Sequence, residues 1–518
     1  MRGVAWAAVA VVVVVVVGVA GVRDNKPLKD RAGDENYHRQ RKLQYKKAKK
    51  GSSYDTVPFI DPEDQAYWNK KGQDELDKQL LNRPVLRKAK NIILFLGDGM
   101  SISTVTAARI LKGQYSGLWE KENLEWEIFP YSAIIKTYTT DSQVADSAAS
   151  ANAYLSGVKS NKGTVGVDVN VELRNCSAQL DESFHLSSIA DWFQNAGKST
   201  GFVTTTRVTH ATPAALYAHV ANREWEDDEE VRRDREDPDT CEDIAEQLIF
   251  SETGKKFKVV MGGGRRNLLP KTVRDVVENK KGYRNDGLFG YSHMDYTIER
   301  DNTQDPSLPE MTKAALEILQ RDAGGYFLLV EGGLIDLGHH GNKGKKALTE
   351  TLEMDEAVKV VLSMVNLQET LVVVTADHGH SLSINGYPSR HTDILGVAEV
   401  SGEDYLPYST LLYGNGPGYR IHTPGNRPDP SRQDMGDVNY RQDAAVPLSS
   451  AAHSGDDVGL WATGPHAHLF TGVHEQNYIA HALAYAACVG NGRTFCGGGV
   501  RRNRGARVCR GRGQRQWC

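Results

Sequence analysis

The sequence predicts an α/β fold: a mostly parallel central sheet flanked by helices on both faces, with one small loop-rich insertion. Two observations lead there. Five aliphatic or β-branched runs end near Gly, Asp or His: NIILFL (91–96), GFVTTT (201–206), KVVMGGG (258–264), YFLLVEGG (326–333) and TLVVVTADHGH (370–380). Stretches with helical spacing lie between them, notably 311–321 and 345–366. Strands that are apolar throughout and alternate with helices belong to a parallel sheet buried on both faces.

In chain order, a single Arg precedes a long apolar run, and Gly18-Val19-Ala20 is a small-x-small cleavage pattern. Residues 1–20 read as a secretory signal peptide, with an uncleaved signal anchor as the alternative. Residues 21–55 are polar and lysine-rich, as in a linker or pro-segment. The globular pattern runs over 56–490. NIILFL leads into Gly97-Asp98-Gly99 and then SISTVTAARILKG, with helical spacing. DSAASANAYLSGVKSNKG (146–163) is built from small residues and holds several serines. Residues 381–452 are rich in Gly, Pro, Asn and Tyr and read as the insertion. Apolar pattern returns from 457 and ends in a helix through AHALAYAAC. The tail, 491–518, is rich in Gly and Arg.

Composition narrows the function. The 518 residues are long for one domain, and a net charge of −4 gives no pull toward nucleic acid. The basic tail alone offers charge to an acidic surface. Six cysteines, with no C-x-x-C among them, suggest disulfides in a secreted chain. Asn175-Cys176-Ser177 is a glycosylation sequon.

Aspartates at the ends of apolar strands need an explanation, because a buried carboxylate is costly unless paired. One such Asp usually caps a helix. Here Asp98, Glu331, Asp336 and Asp377 accompany His339, His340, His378 and His380. Carboxylates with imidazoles suit zinc, and oxygen-only sets suit magnesium. In VEGGLIDLGHH (330–340), Asp336 and His340 are four apart, so a helical turn places both on one face. In open α/β sheets, ligands bind outside the carboxyl ends of the strands, where these residues fall.

Six ordered blocks now carry a resemblance. FLGDGM, DSAASANAYLSGVK, VTTTRVTHATPAALYAHVANREW, VEGGLIDLGHH, VVTADHGH and the block from GPHAHLF to AYAAC resemble animal-type alkaline phosphatases, metal-dependent phosphomonoesterases. The resemblance implies Ser147 as nucleophile through a phosphoserine, Arg223 as the phosphate clamp and Asp146 as its support. It implies two zinc ions, one on Asp336, His340 and His453, the other on Asp98, Asp377 and His378. It implies one magnesium on Asp98, Thr212 and Glu331, with His210 nearby. A zinc ion on the serine oxygen would replace a general base, and the Asp-Ser helix start would offer amide donors to an anion. The resemblance further implies bridges Cys176–Cys241 and Cys488–Cys496, with Cys509 and Cys518 left over. A crown-like insertion at 381–452 and a helix near 62–80 would help form a homodimer. Broad phosphate monoester substrates and an extracellular or cell-surface location complete the expectation.

Four departures qualify it. Ser449, Ser450, Ala451 and Ala452 remove polar residues beside His453, and such outer-shell losses can weaken a metal 10–100-fold. Leu337 replaces a histidine. Phe289 and Asp305 resemble parts of a calcium site, but Gly290 stands where Glu is expected, which puts calcium in doubt. No apolar C-terminal tail of a GPI signal is present. Two rivals follow: a phosphodiesterase of the same metal-dependent superfamily, and a secreted binding protein on a silenced phosphatase fold.

Overall fold

The computed structural model describes residues 63–269, 288–420 and 427–496. The expected signal peptide, the 21–55 segment, Cys509 and Cys518 lie outside the described residues. The chain divides between Leu76 and Asp77 into two compact units. The helix expected near 62–80 is Gln65–Leu81; it crosses that division and buries none of its residues. All further description concerns the second unit.

Eight strands form the main sheet: β1 (Asn91–Gly97), β2 (Tyr131–Lys136), β3 (Ser199–Arg207), β4 (Val259–Gly263), β5 (Tyr326–Gly332), β6 (Thr370–Ala376), β7 (Val458–Thr463) and β8 (Gly472–Glu475). Their spatial order is β8-β2-β7-β6-β1-β5-β3-β4. The five apolar runs became β1, β3, β4, β5 and β6, and these pair in parallel. β7 is antiparallel to both of its neighbours, so the sheet is mixed.

The parallel half is buried on both faces, as continuous apolar runs require. Every residue of β5 and β6 is buried, and Leu94, Phe95, Leu329 and Val373 are wholly enclosed. Each such side chain contributes about 1.5–3 kcal/mol of burial free energy. The helix Gly344–Met364 packs on Ile102–Ser116 and Leu308–Leu319. The last begins where Ser307 and Glu310 close a capping box with Pro in the first turn.

The insertion is more regular than its composition suggests. It holds a three-stranded sheet of Ala444–Pro447, Leu411–Gly416 and Leu382–Ile384, and a pair, Val397–Val400 with Pro407–Ser409. Strands this short, set among Gly and Pro, leave no readable period.

Cys176 and Cys241 form a disulfide, with Cα atoms 5.9 Å apart. Cys488 and Cys496, the other expected pair, stand as free thiols that interact with each other. Cys488 ends the helix Tyr478–Ala487 at φ 55°, and the Cys496 thiol also lies 3.0 Å from the Gly492 carbonyl and 3.5 Å from that of Tyr485.

Candidate active site

Strand register assembles the site at the carboxyl ends of β6, β1, β5 and β3. Leu96 of β1 pairs with Glu331 of β5, and Glu331 with Thr204 of β3. On the other side Gly97 pairs with Ala376 of β6. Asp98 and Asp377 therefore leave adjacent strands side by side. The turn at Gly99 adopts φ +67°, and a Cβ there would sit 2.7 Å from His380 and 2.9 Å from Asp336. Only glycine fits that turn. Its amide donates to Asp377 Oδ1 at 2.9 Å.

Ser147 opens the helix Ser147–Ser156, all of whose residues are buried. Small side chains allow that depth, and Gly157 ends the helix in the left-handed region (φ 78°). Ser147 Oγ lies 3.3 Å from Asp98 Oδ1 and 3.2 Å from His378 Nε2. Asp146 caps the helix by accepting from Ala148 N and Ala149 N, and it also accepts from Gly163 N at 3.0 Å. Two of the amides at this helix start are therefore taken by the cap's own carboxylate.

One cluster gathers Asp336, His340, His380 and His453. Asp336 and His340 share the helix Leu334–His340, with His340 Nε2 3.1 Å from Asp336 Oδ2. His453 Nε2 is 3.5 Å from Asp336 Oδ1. His380 Nε2 reaches Asp336 Oδ1 at 2.5 Å. The sequence placed His380 among the histidines without giving it a role. Two residues after His378 in an extended segment, it points the same way, and it pairs with His453 across a two-residue ladder.

A second cluster holds Asp98, Asp336 and His378, with Asp377 Oδ2 3.1 Å from His378 Nε2. A third holds Asp98, His210 and Glu331. Thr204 and Thr206 hydroxyls donate to Glu331 Oε2. Thr212 is fully buried on the short helix Ala211–Ala214.

Electrostatics and unmet valences point to cations. Asp98 Oδ2, Asp377 Oδ2, Glu331 Oε1 and Thr212 Oγ1 are buried without a hydrogen-bond partner. Orphaned oxygens of this kind are rare unless an ion or water completes them. Burial raises Asp98 well above the usual carboxylate range, and Asp377 adds to the effect. Burial likewise pushes Asp377 up to about 7. Burial would also raise Asp336, but His380 and His340 outweigh it and hold that carboxyl well below normal. Burial drives His378 well down and His453 to about 4, so both present neutral, metal-competent rings.

Orientation comes from the main chain. His340 Nδ1 meets the Ala451 carbonyl at 2.5 Å, and His453 Nδ1 the Ala145 carbonyl at 2.9 Å. The Ser449–Ala452 replacements therefore leave these two orienting partners in place. Leu337, part buried, packs on the core. At the calcium-like positions, the Phe289 carbonyl accepts from the Arg265 guanidinium.

Arg223 completes the pocket. Its Nη1 donates to Asp146 Oδ2 at 3.1 Å and its Nη2 to His210 Nε2 at 3.2 Å. Burial, then the positive charge of Arg223, holds His210 well below its ordinary value, as a neutral acceptor requires.

The alkaline phosphatase family model matches residues 89–288 and 287–489. An alkaline phosphatase of Gadus morhua is 45% identical over 484 residues, covering 84% of this chain and 99% of that protein. The tissue-nonspecific isozyme of Gallus gallus is 44% identical over 490 residues, covering 85% and 92%. Among solved structures, the Thermus thermophilus alkaline phosphatase shares the fold at TM-score 0.54 and 23% identity, covering 77% of this chain and 92% of that one.

Proposed function

The chain belongs to the alkaline phosphatase family and hydrolyses phosphate monoesters to an alcohol and inorganic phosphate; we propose that it does so through a phosphoserine on Ser147. The observation that carries this reading is Ser147 Oγ, buried and within 3.3 Å of both Asp98 and His378, next to an arginine fixed by Asp146. Family membership makes the enzyme metal-dependent. In our assignment Asp336, His340 and His453 hold one zinc, with His380 steadying Asp336. Asp98, Asp377 and His378 hold the other. Asp98, Thr212 and Glu331 hold magnesium, with His210 beside them. The unpartnered oxygens at Asp98, Asp377, Glu331 and Thr212 support these sets. When bound, the ions supply Lewis acidity and lower the pKa of coordinated hydroxyls.

The residues divide the remaining work. Arg223 binds two nonbridging phosphoryl oxygens through its fork, a geometry suited to bidentate contact. Asp146 and His210 hold the guanidinium before substrate arrives, which lowers the cost of orienting it. Ser147 Oγ attacks phosphorus in line, forming one P–O bond as the ester P–O bond breaks and the alcohol leaves. Water then attacks the phosphoserine, restoring the Ser147 hydroxyl and releasing phosphate. A site that reads mainly the phosphoryl group supports broad substrate use.

The wider organisation belongs to the same proposal: a cleaved leader over 1–20, a linker over 21–55, a catalytic domain over 56–490 and a tail over 491–518. A homodimer, glycosylation at Asn175 and an extracellular or cell-surface location go with it. Among the described residues no helix is long and apolar enough to cross a membrane.

The test is hydrolysis of a chromogenic aryl phosphate at alkaline pH by the full chain. Ser147→Ala should abolish turnover while zinc and magnesium content stays unchanged. Retained turnover in that variant would sink the phosphoserine reading. Loss of activity on chelation, restored by zinc with magnesium, is the companion result.

A further inference from the structure

Arg207 is the last residue of β3 and has no part in the chemistry above, yet its guanidinium makes four hydrogen bonds to two residues. Nε donates to both oxygens of Glu226, at 3.0 and 2.7 Å, and Nη2 donates to Glu226 Oε1 as well. Nη1 donates to His293 Nε2. Glu226 also accepts from Thr209 Oγ1 at 2.6 Å. The Arg207 and Glu226 side chains are only 11% and 6% exposed.

Each prong leads toward Arg223. Glu226 lies three residues beyond Arg223 on the same loop, so the ion pair fixes that loop to the end of β3. The His293 ring stands edge-on to His210, with centroids 5.5 Å apart at 75°. His210 Nε2 is the atom on which Arg223 Nη2 rests. β3 lies inside the sheet between β5 and β4, and Arg207 pairs with Gly263 after a register shift beyond Val203. The guanidinium is therefore rooted in a sheet strand rather than in a loop. A buried ion pair contributes little net stability, because desolvation offsets its attraction. What the arrangement does supply is geometry.

We propose that Arg207 is a positioning residue for Arg223: one guanidinium, rooted in the sheet, holds both the loop that carries the second guanidinium and the histidine that second one leans on. This rests on reading Arg223 as the phosphate clamp. With Arg207 in place, Arg223 meets the phosphoryl group in one orientation. Without it, Arg223 keeps its charge and its bond to Asp146 but loses a fixed approach. Lysine is no substitute, since a compact ammonium lacks the planar fork that reaches Glu226 and His293 from separate nitrogens.

The experiment uses the full chain loaded with zinc and magnesium, and compares Arg207→Gln, Arg207→Lys, His293→Ala, Arg223→Gln and the Arg207→Gln/Arg223→Gln pair. For each, KM for an aryl phosphate, Ki for inorganic phosphate, kcat and Tm are measured. Arg207→Gln should raise KM and the phosphate Ki together, by roughly 5- to 20-fold, the size expected for coupled residues of one network. Arg207→Lys and His293→Ala should raise the Ki in the same direction, and they serve if Arg207→Gln does not fold. The pair should have the Ki of Arg223→Gln alone. A Ki that rises in Arg223→Gln but stays put in the three other single variants, with only Tm or active fraction falling, overturns the positioning role alone. An unchanged Ki in Arg223→Gln overturns the clamp reading, and the positioning role with it.

Discussion

Glu350 illustrates how a single buried group responds to pH. It lies on the helix Gly344–Met364, 2% exposed, and accepts from Thr297 N at 2.6 Å. Burial pushes its carboxyl up to about 7. In the unfolded chain it titrates near 4.3, so the folded state binds the proton more tightly and stability falls as pH rises between those values. At alkaline pH the ionised group costs on the order of 3 kcal/mol. Glu350→Gln keeps an oxygen for Thr297 and removes the charge. Thermal unfolding should show the variant stabilised at pH 8 and indistinguishable from the parent near pH 4. Equal Tm values at pH 8 would refute the argument. His380 makes a different residue-scale case. Its 2.5 Å contact with Asp336 should orient a metal ligand rather than supply one. His380→Ala should lower zinc affinity by about 10- to 100-fold, as titration with a chelating indicator would show.

Among the elements, the Ser147–Ser156 helix carries the sharpest packing constraint. It packs on the helix Tyr478–Ala487, and a Cβ at Gly157 would meet His481 Nε2 at 2.7 Å in a left-handed conformation. Gly157→Ala should cost about 1–3 kcal/mol, read as a lower denaturation midpoint. The elements also mark where the sequence could be read. β1, β3, β4, β5 and β6 announced themselves because strands buried on both faces must be apolar throughout. Asp98, Glu331, Asp377 and His378 were legible because they stand at the ends of those runs. The insertion's strands were not, being short and broken by Gly and Pro. Nor were the carbonyls of Ala145 and Ala451 that hold His453 and His340, because a main-chain partner leaves no trace in residue type. The Arg207–Glu226–His293 network was hidden for a related reason: its members are 19 and 86 positions from Arg207 and meet only in the fold.

At the scale of the whole molecule, the site ties folding to metal and to pH. Asp98, Asp377 and Glu331 converge at the ends of three strands of one sheet, each with a buried oxygen that accepts no hydrogen bond. Burial raises all three carboxyls, Asp377 to about 7. In the metal-free protein these groups hold protons more tightly than in the unfolded chain, so stability falls as pH climbs from about 4 through 7. His378 and His453 have the opposite sign, whereas at His340 burial is outweighed by Asp336, which raises that ring above its ordinary value. Burial lowers His378 and takes His453 to about 4, so their cost appears as pH falls below about 6.5 and is absent above it. Protons thus compete with cations near neutrality through the carboxylates and through His340, not through His378 or His453, and metal affinity rises as those groups lose their protons. Metal at 100 times its Kd adds about 2.7 kcal/mol to the folded state. The Tm gap between metal-loaded and chelated full-length protein should accordingly be small at pH 5 and widen steadily to pH 8. Scanning calorimetry across that range measures it. A gap that stays constant with pH would mean that the carboxylates are ionised before metal arrives, and that some other group already neutralises them.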